Sequence, residues 1–397
     1  MITTTRPTWA EISRGRLIHN HDVLRRLAGR ATQLLCVVKA NAYGHGLVEC
    51  ARVLEANGAQ WFGVTCVEEG VELRLSGSAA RILIMSGIFP GEAEAAIEHN
   101  LTPVVWDAQH LDWLEEAARR MGRGAGEVQV HLEIDTGMSR QGVQRVKVEP
   151  LLKRFHAKSP LRVEALMTHF HSAEGTEANR NQLDELTMAV APAMREKLMA
   201  DFVSAGSSAN LLQSDDVLSL RDFAKKLGDA RMVRAGIALY GYSPLRERPG
   251  VEARTEPTRD PAEDLKTVLS WKTRVISVRE IAAWATVGYD ATFTARRRTR
   301  VALLPVGYAD GLNRLLSNQG SVLVRGQRAP IAGRISMDQT TVDVTDVDGV
   351  AVGDEVALIG QQGAEKITAA EMAKATGTIS YEVLCAIGAR VPRVTVD

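Results

Sequence analysis

The sequence has few cysteines, no excess of either charge and no long apolar run. Its four cysteines, at positions 36, 50, 66 and 385, lack disulfide-framework and metal-ligand spacing, so we predict reduced thiols in a cytoplasmic protein with no metal site. Lys+Arg and Asp+Glu both total 48, which gives no reason to expect nucleic acid or an anionic membrane as a partner. The chain lacks a membrane-span candidate, and its amino terminus does not resemble a signal peptide.

Short apolar runs alternate with amphipathic stretches over the first 240 or so residues of the 397-residue chain. The runs are residues 34–38, 61–65, 82–86, 102–106, 128–134, 163–168, 201–205 and 232–237. Runs of this length are typical of parallel strands buried on both faces, and residues 47–57 and 108–122 between them have helical spacing. Eight such repeats predict a TIM-like (β/α)8 barrel over residues 1–242, and a doubly wound sheet is the alternative.

The pattern changes after a polar, proline-containing stretch at residues 243–264, which we interpret as a linker or insertion. Strand-like runs then follow one another with turns between them. They are residues 267–278, 300–305, 322–325, 340–345 and 355–359. We therefore predict a linker and a mainly β domain over residues 243–397, on which the first ten or so residues could also pack.

A lysine directly follows the first apolar run, in the segment VVKANAYGHG at residues 37–46. At the carboxyl end of a barrel strand, Lys39 would lie in the mouth of the barrel, where barrel enzymes have their active sites. Burial lowers the pKa of a lysine and makes it a usable amine nucleophile. The alternative is a lysine that extends from the strand end into water, but the asparagine, tyrosine, histidine and glycines that follow favour a binding loop.

This segment resembles the cofactor-attachment signature of alanine racemases, and the similarity continues in separate blocks to Arg393. The resemblance implies a barrel with a C-terminal β domain, and covalent attachment of pyridoxal 5'-phosphate to Lys39, which also acts as a catalytic base. The block VGYDATF at residues 287–293 resembles the family segment that holds the second base, here Tyr289. Two bases on opposite faces can remove a proton from the α-carbon and return one to the other face.

Phosphate-binding residues are expected in the loops after the seventh and eighth barrel strands. These loops contain Ser207, Gly236 and Ile237, and Ser208 is an alternative to Ser207 because Gly206 stands where the family usually has asparagine. The resemblance adds further cofactor contacts. They are Tyr43 and Tyr381 to the phosphate and His169 along the ring.

Arg234 resembles the family arginine that faces the pyridine nitrogen of the cofactor. An arginine does not give up its proton, so the ring nitrogen would stay unprotonated and the ring would be a weaker electron sink. That property disfavours transamination. A decarboxylase of the same architecture would be expected to have an acidic residue here.

Arg140 resembles the family arginine that holds the substrate carboxylate, a role that suits a guanidinium. Met337 and Asp338 resemble a segment that enters the site from the partner subunit, and Tyr308 resembles a residue that narrows the entry. The resemblance thus implies a head-to-tail homodimer with shared active sites. Glu133 departs from the family, which commonly has a carbamylated lysine there; we hypothesise that its carboxylate orients Arg140, and the alternative is an unrelated salt bridge.

Together these blocks predict a racemase that interconverts L-alanine and D-alanine and supplies D-alanine for peptidoglycan. Racemisation of serine or of a broader set of amino acids stays open, because one methylene or hydroxyl changes selectivity by only about 1–3 kcal/mol. Two other classes are a pyridoxal-phosphate decarboxylase and a non-catalytic pyridoxal-phosphate carrier. The carrier would consist of the barrel alone and would not need the β domain.

Overall fold

The computed structural model describes residues 5–172, 176–195, 200–213, 230–246 and 260–397. Strand β1 (Thr8–Ser13) comes first in the chain. The structure divides into two compact units, one formed by Leu17–Ala42 and Leu47–Lys266. The other is formed by Met1–Arg16, Tyr43–Gly46 and Thr267–Asp397. Part of the predicted linker, residues 247–259, lies outside the described residues.

The first unit contains a closed barrel of eight parallel strands, β2 to β9. They are Thr32–Val37, Trp61–Val64, Arg81–Ile84, Thr102–Val105, Val128–Glu133, Leu161–Met167, Phe202–Ser204 and Ala230–Ala235. Strand β9 pairs with β2 and closes the barrel, with Arg234 opposite Leu35. The barrel prediction is confirmed, and the doubly wound alternative is excluded because an open sheet has no such closing pair.

Helix α1 precedes the first barrel strand, and helices α2 to α8 occupy the connections between the barrel strands. In chain order from α1 they are Arg14–Ala28, Leu47–Ala56, Val67–Leu75, Ala93–Glu98, Ala108–Arg120, Arg145–Leu152, Thr176–Arg195 and Ser208–Leu212. Helix α5 shows why they form: Leu111, Leu114 and Ala118 are buried at helical spacing, and the Asp107 carboxylate caps the amino end by accepting from the Gln109 N–H. No helix among the described residues is long and apolar enough to cross a membrane.

Inside the barrel, a buried carboxylate is paired with an arginine guanidinium and a histidine. Glu164 of β7 is 2% exposed and accepts from the guanidinium of Arg81, the first residue of β4, with one contact at 2.8 Å. His131 Nε2 lies 3.3 Å from the same carboxylate, and the Arg81 guanidinium stacks over the Trp61 ring at 4.3 Å. Burial alone would raise the pKa of Glu164, but these partners lower it.

The second unit is mainly β. Its remaining strands, β10 to β20, are Leu269–Arg274, Ser277–Ile281, Thr286–Val287, Phe293–Thr294, Thr299–Leu304, Ser321–Val324, Gln327–Pro330, Thr340–Asp343, Glu355–Gln362, Glu365–Ile367 and Arg393–Val396. Helices α9 (Ala369–Thr376) and α10 (Ser380–Cys385) follow β19. The largest sheet has the order β16-β15-β18-β10-β1-β20, with β19 paired to β18. Strand β1 pairs antiparallel with β10 and parallel with β20, so residues from both ends of the chain share this sheet.

Two details of the second unit and of the boundary between the units differ from the sequence predictions. The predicted run at residues 267–278 is two strands, because β10 belongs to the large sheet and β11 pairs with β14 in a separate three-stranded sheet. The division between the units also falls later than the predicted boundary at residue 242. The reason is that the Asn20 amide of α1 donates to the carbonyls of Leu239 and Lys266 and accepts from the Lys266 N–H.

Candidate active site

Polar residues gather at the carboxyl ends of the barrel strands. Lys39 follows β2, Glu133 ends β6, His169 follows β7, Ser207 follows β8, and Arg234 lies near the end of β9. Because the strands are parallel and closed into one barrel, these ends meet at the same face. This is the face at which the sequence predicts the active site.

Lys39 is half-buried and is followed by an unusual left-handed turn. Ala40, Asn41 and Ala42 have φ angles of 52, 54 and 54°, a conformation that costs an ordinary residue about 1–2 kcal/mol. Hydrogen bonds hold the turn: the Ala40 N–H donates to Glu69 at 2.7 Å, and the Asn41 side chain accepts from the Leu47 N–H at 2.8 Å. Strained backbone retained in this way is typical of functional sites.

Arg234 and His169 form a defined pair. Arg234 is 5% exposed; its guanidinium donates to Ser204 Oγ at 2.9 Å, to the Thr168 carbonyl at 2.9 Å and to His169 Nδ1 at 3.0 Å. Burial lowers the pKa of Arg234 to about 10, which leaves it cationic at neutral pH. Burial, followed by the charges of Arg234, Arg140 and Lys39, lowers the pKa of His169 to about 3. His169 is therefore an uncharged ring that accepts at Nδ1.

Glu133 is a buried carboxyl group, 2% exposed, with an amide partner that sequence reasoning missed. The Gln141 amide donates to Glu133 Oε2 and, at 3.0 Å, to the Met85 carbonyl. Burial raises the pKa of Glu133, while the Gln141 hydrogen bond and the charges of Arg234 and Arg140 oppose that rise. The hydrogen bond described on Glu133 thus comes from Gln141, and Arg140 acts on it as a neighbouring charge.

Arg140 stands on a loop that is fastened to the His169 segment. Asp135 accepts from the N–H groups of Gly137 and Ser139, both at 3.0 Å, and so folds the loop before Arg140. The Gln182 amide of α7 bridges Thr136 Oγ1 at 3.0 Å and the His169 carbonyl at 3.1 Å. Glu133, Arg140 and His169 consequently line one small cleft of the barrel unit.

The two predicted phosphate loops are joined by Ser208. Ser208 is 4% exposed, and its hydroxyl accepts from the N–H groups of Gly236 at 2.8 Å and Ala238 at 3.3 Å. Ser207 instead caps α8, and its hydroxyl donates to Asn210 Oδ1 at 3.1 Å. Ser208 therefore braces the loops, whereas Ser207 is half-buried at the start of α8.

Two tyrosines of the second unit lie side by side. The ring centroids of Tyr43 and Tyr381 are 5.9 Å apart. Tyr43 is 8% exposed, and its burial, with Tyr381 and Cys385 nearby, raises the pKa of its phenol. A phenol with a raised pKa keeps its proton, so Tyr43 is a hydrogen-bond donor at neutral pH.

The remaining predicted residues lie on exposed parts of the second unit. Tyr289 is 69%, Met337 52% and Tyr308 42% exposed, high values for side chains of this size. The loops of Tyr308 and Met337 are bonded together, since the Tyr308 N–H donates to the Ser336 carbonyl at 3.1 Å.

A buried carboxylate that sequence reasoning missed supports these loops. Asp310, 0% exposed, accepts from Arg6 and, at 3.0 Å, from the Gly307 N–H. Arg390 lies 3.4 Å from Asp310 and donates to the Asp338 carboxylate at 2.6 Å. The side chain of Asp338 is thus engaged within its own unit.

A closed barrel with a lysine and a buried arginine at the same face of its strands, followed by a β domain, defines a two-domain barrel enzyme. Residues 12–244 match the family model of the alanine racemase N-terminal domain, and residues 268–395 match that of the C-terminal domain. The chain therefore belongs to the alanine racemase family of isomerases, whose members use pyridoxal phosphate.

Individual relatives agree with this assignment over nearly the whole chain. The alanine racemase of Symbiobacterium thermophilum is 40% identical over 98% of this chain and 97% of its own. That of Halothermothrix orenii is 38% identical over the same shares. The crystal structure of alanine racemase from D-cycloserine-producing Streptomyces lavendulae superposes with a TM-score of 0.87 at 33% identity, covering 99% of this chain and 98% of its own.

Proposed function

We propose that this chain interconverts L-alanine and D-alanine with pyridoxal phosphate attached to Lys39, and that it supplies D-alanine for peptidoglycan. The observation that carries the proposal is the arrangement around Arg234. Its strand, β9, pairs with β2, the strand that leads into Lys39. A buried cation beside an uncharged histidine ring, at the same barrel face as a strand-end lysine, suits a cofactor with an aldehyde, a pyridine nitrogen and a phosphate.

The donor set fits each part of that cofactor. Lys39 supplies the amine that would react with the aldehyde, and Arg234 supplies an N–H that faces the ring nitrogen. His169 supplies an uncharged flat ring that would lie along the cofactor ring. The candidate phosphate donors are Ser207, Gly236, Ile237, Tyr43 and Tyr381; among them, the Gly236 N–H already donates to Ser208 Oγ at 2.8 Å. We favour Ser207 as the serine that contacts the phosphate because it is less buried than Ser208. Ser208 stays the alternative, because its hydroxyl accepts from Gly236 and Ala238 and still has a proton to donate.

When bound, pyridoxal phosphate supplies the electron sink that acidifies the α-carbon of an attached amino acid. Lys39 and Tyr289 then act as the two bases, each holding a proton for one face of that carbon. Arg234 is a permanent donor with no acceptor site, so it leaves the ring nitrogen unprotonated and limits the sink. This favours return of the proton over transamination. It also argues against the decarboxylase reading, which calls for an acidic residue at this position.

Arg140 is proposed to bind the substrate carboxylate, for which its guanidinium is suited. Glu133 supplies the buried acid near Arg140 that a carbamylated lysine supplies in relatives, and Gln141 fixes the orientation of its carboxyl group. If this is so, Glu133→Gln raises the KM for alanine much more than it lowers kcat. An unchanged KM would contradict the role of Glu133.

We also propose a head-to-tail homodimer in which the second unit of each subunit completes the partner's site with Tyr289, Tyr308, Met337 and Asp338. The exposure of Tyr289, Tyr308 and Met337 in the single chain supports this, because large side chains exposed together mark an interaction surface. Sedimentation of the holoenzyme over a range of concentrations tests it. Full activity in a monomer would contradict it.

The test of the reaction is exchange of the α-proton in deuterated water with L-alanine and D-alanine as separate substrates. We expect the wild type to label both enantiomers and Lys39→Ala to label neither. We expect Tyr289→Phe to lose labelling of the enantiomer whose α-proton the phenol removes. If Tyr289→Phe retains racemisation from both enantiomers, the two-base assignment is wrong. L-serine in parallel reactions measures whether the site is strict for alanine.

A further inference from the structure

The two tyrosines proposed to bind the phosphate come from segments that are distant in sequence. Tyr43 opens the short segment Tyr43–Gly46, whereas Tyr381 belongs to α10. Two phenols can hold one phosphate only if these segments keep a constant separation. Arg393 and Gly44 are the residues that connect them.

Arg393 donates to backbone carbonyls on both sides of this junction. Its Nε donates to the Gly44 carbonyl at 2.8 Å, directly after Tyr43. Its Nη1 donates to the carbonyls of Gly388 and Val391, both at 2.6 Å, and its Nη2 donates to the Ile387 carbonyl. One planar guanidinium therefore ties the Tyr43 segment to the chain that follows α10.

Gly44 brings the two backbones into contact. It has a φ of +80°, and a Cβ added there would lie 2.1 Å from the Leu384 carbonyl oxygen of α10. The Tyr43 segment thus lies against the helix that carries Tyr381 without room for a side chain. The ring separation of 5.9 Å follows from this close approach.

The hydrogen-bond partners of the Arg393 guanidinium are all backbone carbonyls, which indicates its role. Its pKa is lowered by burial alone, and among the residues that the structure describes no carboxylate forms an ion pair with it. A half-buried cation bonded to four carbonyls is a connector of backbone segments, and only arginine has a planar fork with enough donors for this. Lysine, with a single nitrogen on a flexible stem, cannot reach all four.

We propose that Arg393 is a positioning residue for the cofactor phosphate: it holds the Tyr43 segment against the segment after α10, so that the Tyr43 and Tyr381 hydroxyl groups converge on one phosphate. The proposal rests on the proposed function in that it takes pyridoxal phosphate as the ligand. Arg393 itself need not touch the phosphate.

The test compares binding of pyridoxal phosphate and of pyridoxal, which lacks the phosphate, to the apo forms of the full chain. The variants are Arg393→Met and Arg393→Lys. The matched control is Arg328→Met, which removes an arginine of the same unit that pairs with Glu365 and Glu371. Binding is followed by the absorbance of the attached cofactor, and circular dichroism shows whether each variant is folded.

We expect Arg393→Met to weaken pyridoxal phosphate about tenfold to a hundredfold, as for loss of one charge-assisted hydrogen bond, and to leave pyridoxal binding unchanged. We expect Arg393→Lys to show the same phosphate-specific loss to a smaller degree, and Arg328→Met to match the wild type. The proposal would be overturned if the affinities for pyridoxal phosphate and pyridoxal fell equally, or if neither fell. If Arg393→Met does not fold, Arg393→Lys decides between these results.

Racemisation by the wild type separates this inference from the proposed function. Suppose that the Arg393 variants lose affinity for pyridoxal phosphate but not for pyridoxal, and that the wild type does not racemise alanine. That result would reject the proposed reaction and keep the role of Arg393. If the wild type racemises alanine but the Arg393 variants bind pyridoxal phosphate as tightly as the wild type does, the proposed reaction stands and the role of Arg393 is rejected.

Discussion

Gly44→Ala is the substitution whose effect the structure defines most closely. It places a methyl group at a φ of +80°, 2.1 Å from the Leu384 carbonyl oxygen, whereas Cβ atoms essentially never approach closer than 3.0 Å. Gly377 is a matched control in the same unit, because it has a φ of +71° and nothing within 4 Å of an added Cβ. Both substitutions carry the cost of a left-handed alanine, and only Gly44→Ala adds a clash with backbone.

The two costs can be estimated separately. A left-handed alanine costs about 1–2 kcal/mol of unfolding free energy, which is the whole effect expected for Gly377→Ala. Overpacking against structure that cannot move aside adds about 1–3 kcal/mol. Gly44→Ala is therefore expected to lose about 2–5 kcal/mol in total and to displace Tyr43 from Tyr381.

Urea unfolding of the apo forms and titration with pyridoxal phosphate measure these effects. We expect Gly44→Ala to unfold at a lower urea concentration than Gly377→Ala and to bind pyridoxal phosphate more weakly. We expect Gly377→Ala to bind it like the wild type. Equal losses of stability and unchanged cofactor affinity in both variants would refute the close packing of the Tyr43 segment on α10.

Three further changes test other parts of the molecule. Arg234→Glu should raise the ratio of transamination to racemisation, measured as pyruvate formed from alanine, because an acid allows the ring nitrogen to hold a proton; an unchanged ratio would contradict the role of Arg234. Burial raises the pKa of Glu133 in the folded state, so ionising this group costs folded-state stability. The stability of the wild type relative to Glu133→Gln should therefore fall as the pH rises above about 4.3, the ordinary pKa of a glutamate. Melting temperatures of both proteins across pH 5–8 test this, and a difference that does not change with pH would contradict it. Glu164→Gln should cost about 1.5–3 kcal/mol in urea unfolding, because it weakens the hydrogen bonds to Arg81 and His131; no loss would argue against that cluster.

Much of the fold could be read from the sequence because its determinants are local. A parallel strand buried on both faces must be a short apolar run, and all eight barrel strands coincide with such runs. Lys39 was visible for the same reason, as a charged residue at the end of one of them. The residues of the candidate site were found through resemblance in separate blocks, and their individual roles remain predictions.

What the sequence could not show depends on partners that are far apart in the chain. The sequence suggests only that the first residues could pack on the β domain, and it does not show that β1 pairs with β10 and β20, which lie far away in the chain. Gln141 adjoins Arg140 in the predicted substrate block, but only folding shows that its amide binds Glu133.

By itself, then, the sequence determined the barrel, the β domain and the family, because apolar periodicity and motif blocks are properties of neighbouring residues. The tertiary structure decided which groups support the site. Arg6 meets Asp310 across 304 positions, and Arg393 meets Gly44 across 349. Such contacts are set by the packing of whole sheets and helices, and no local pattern encodes them.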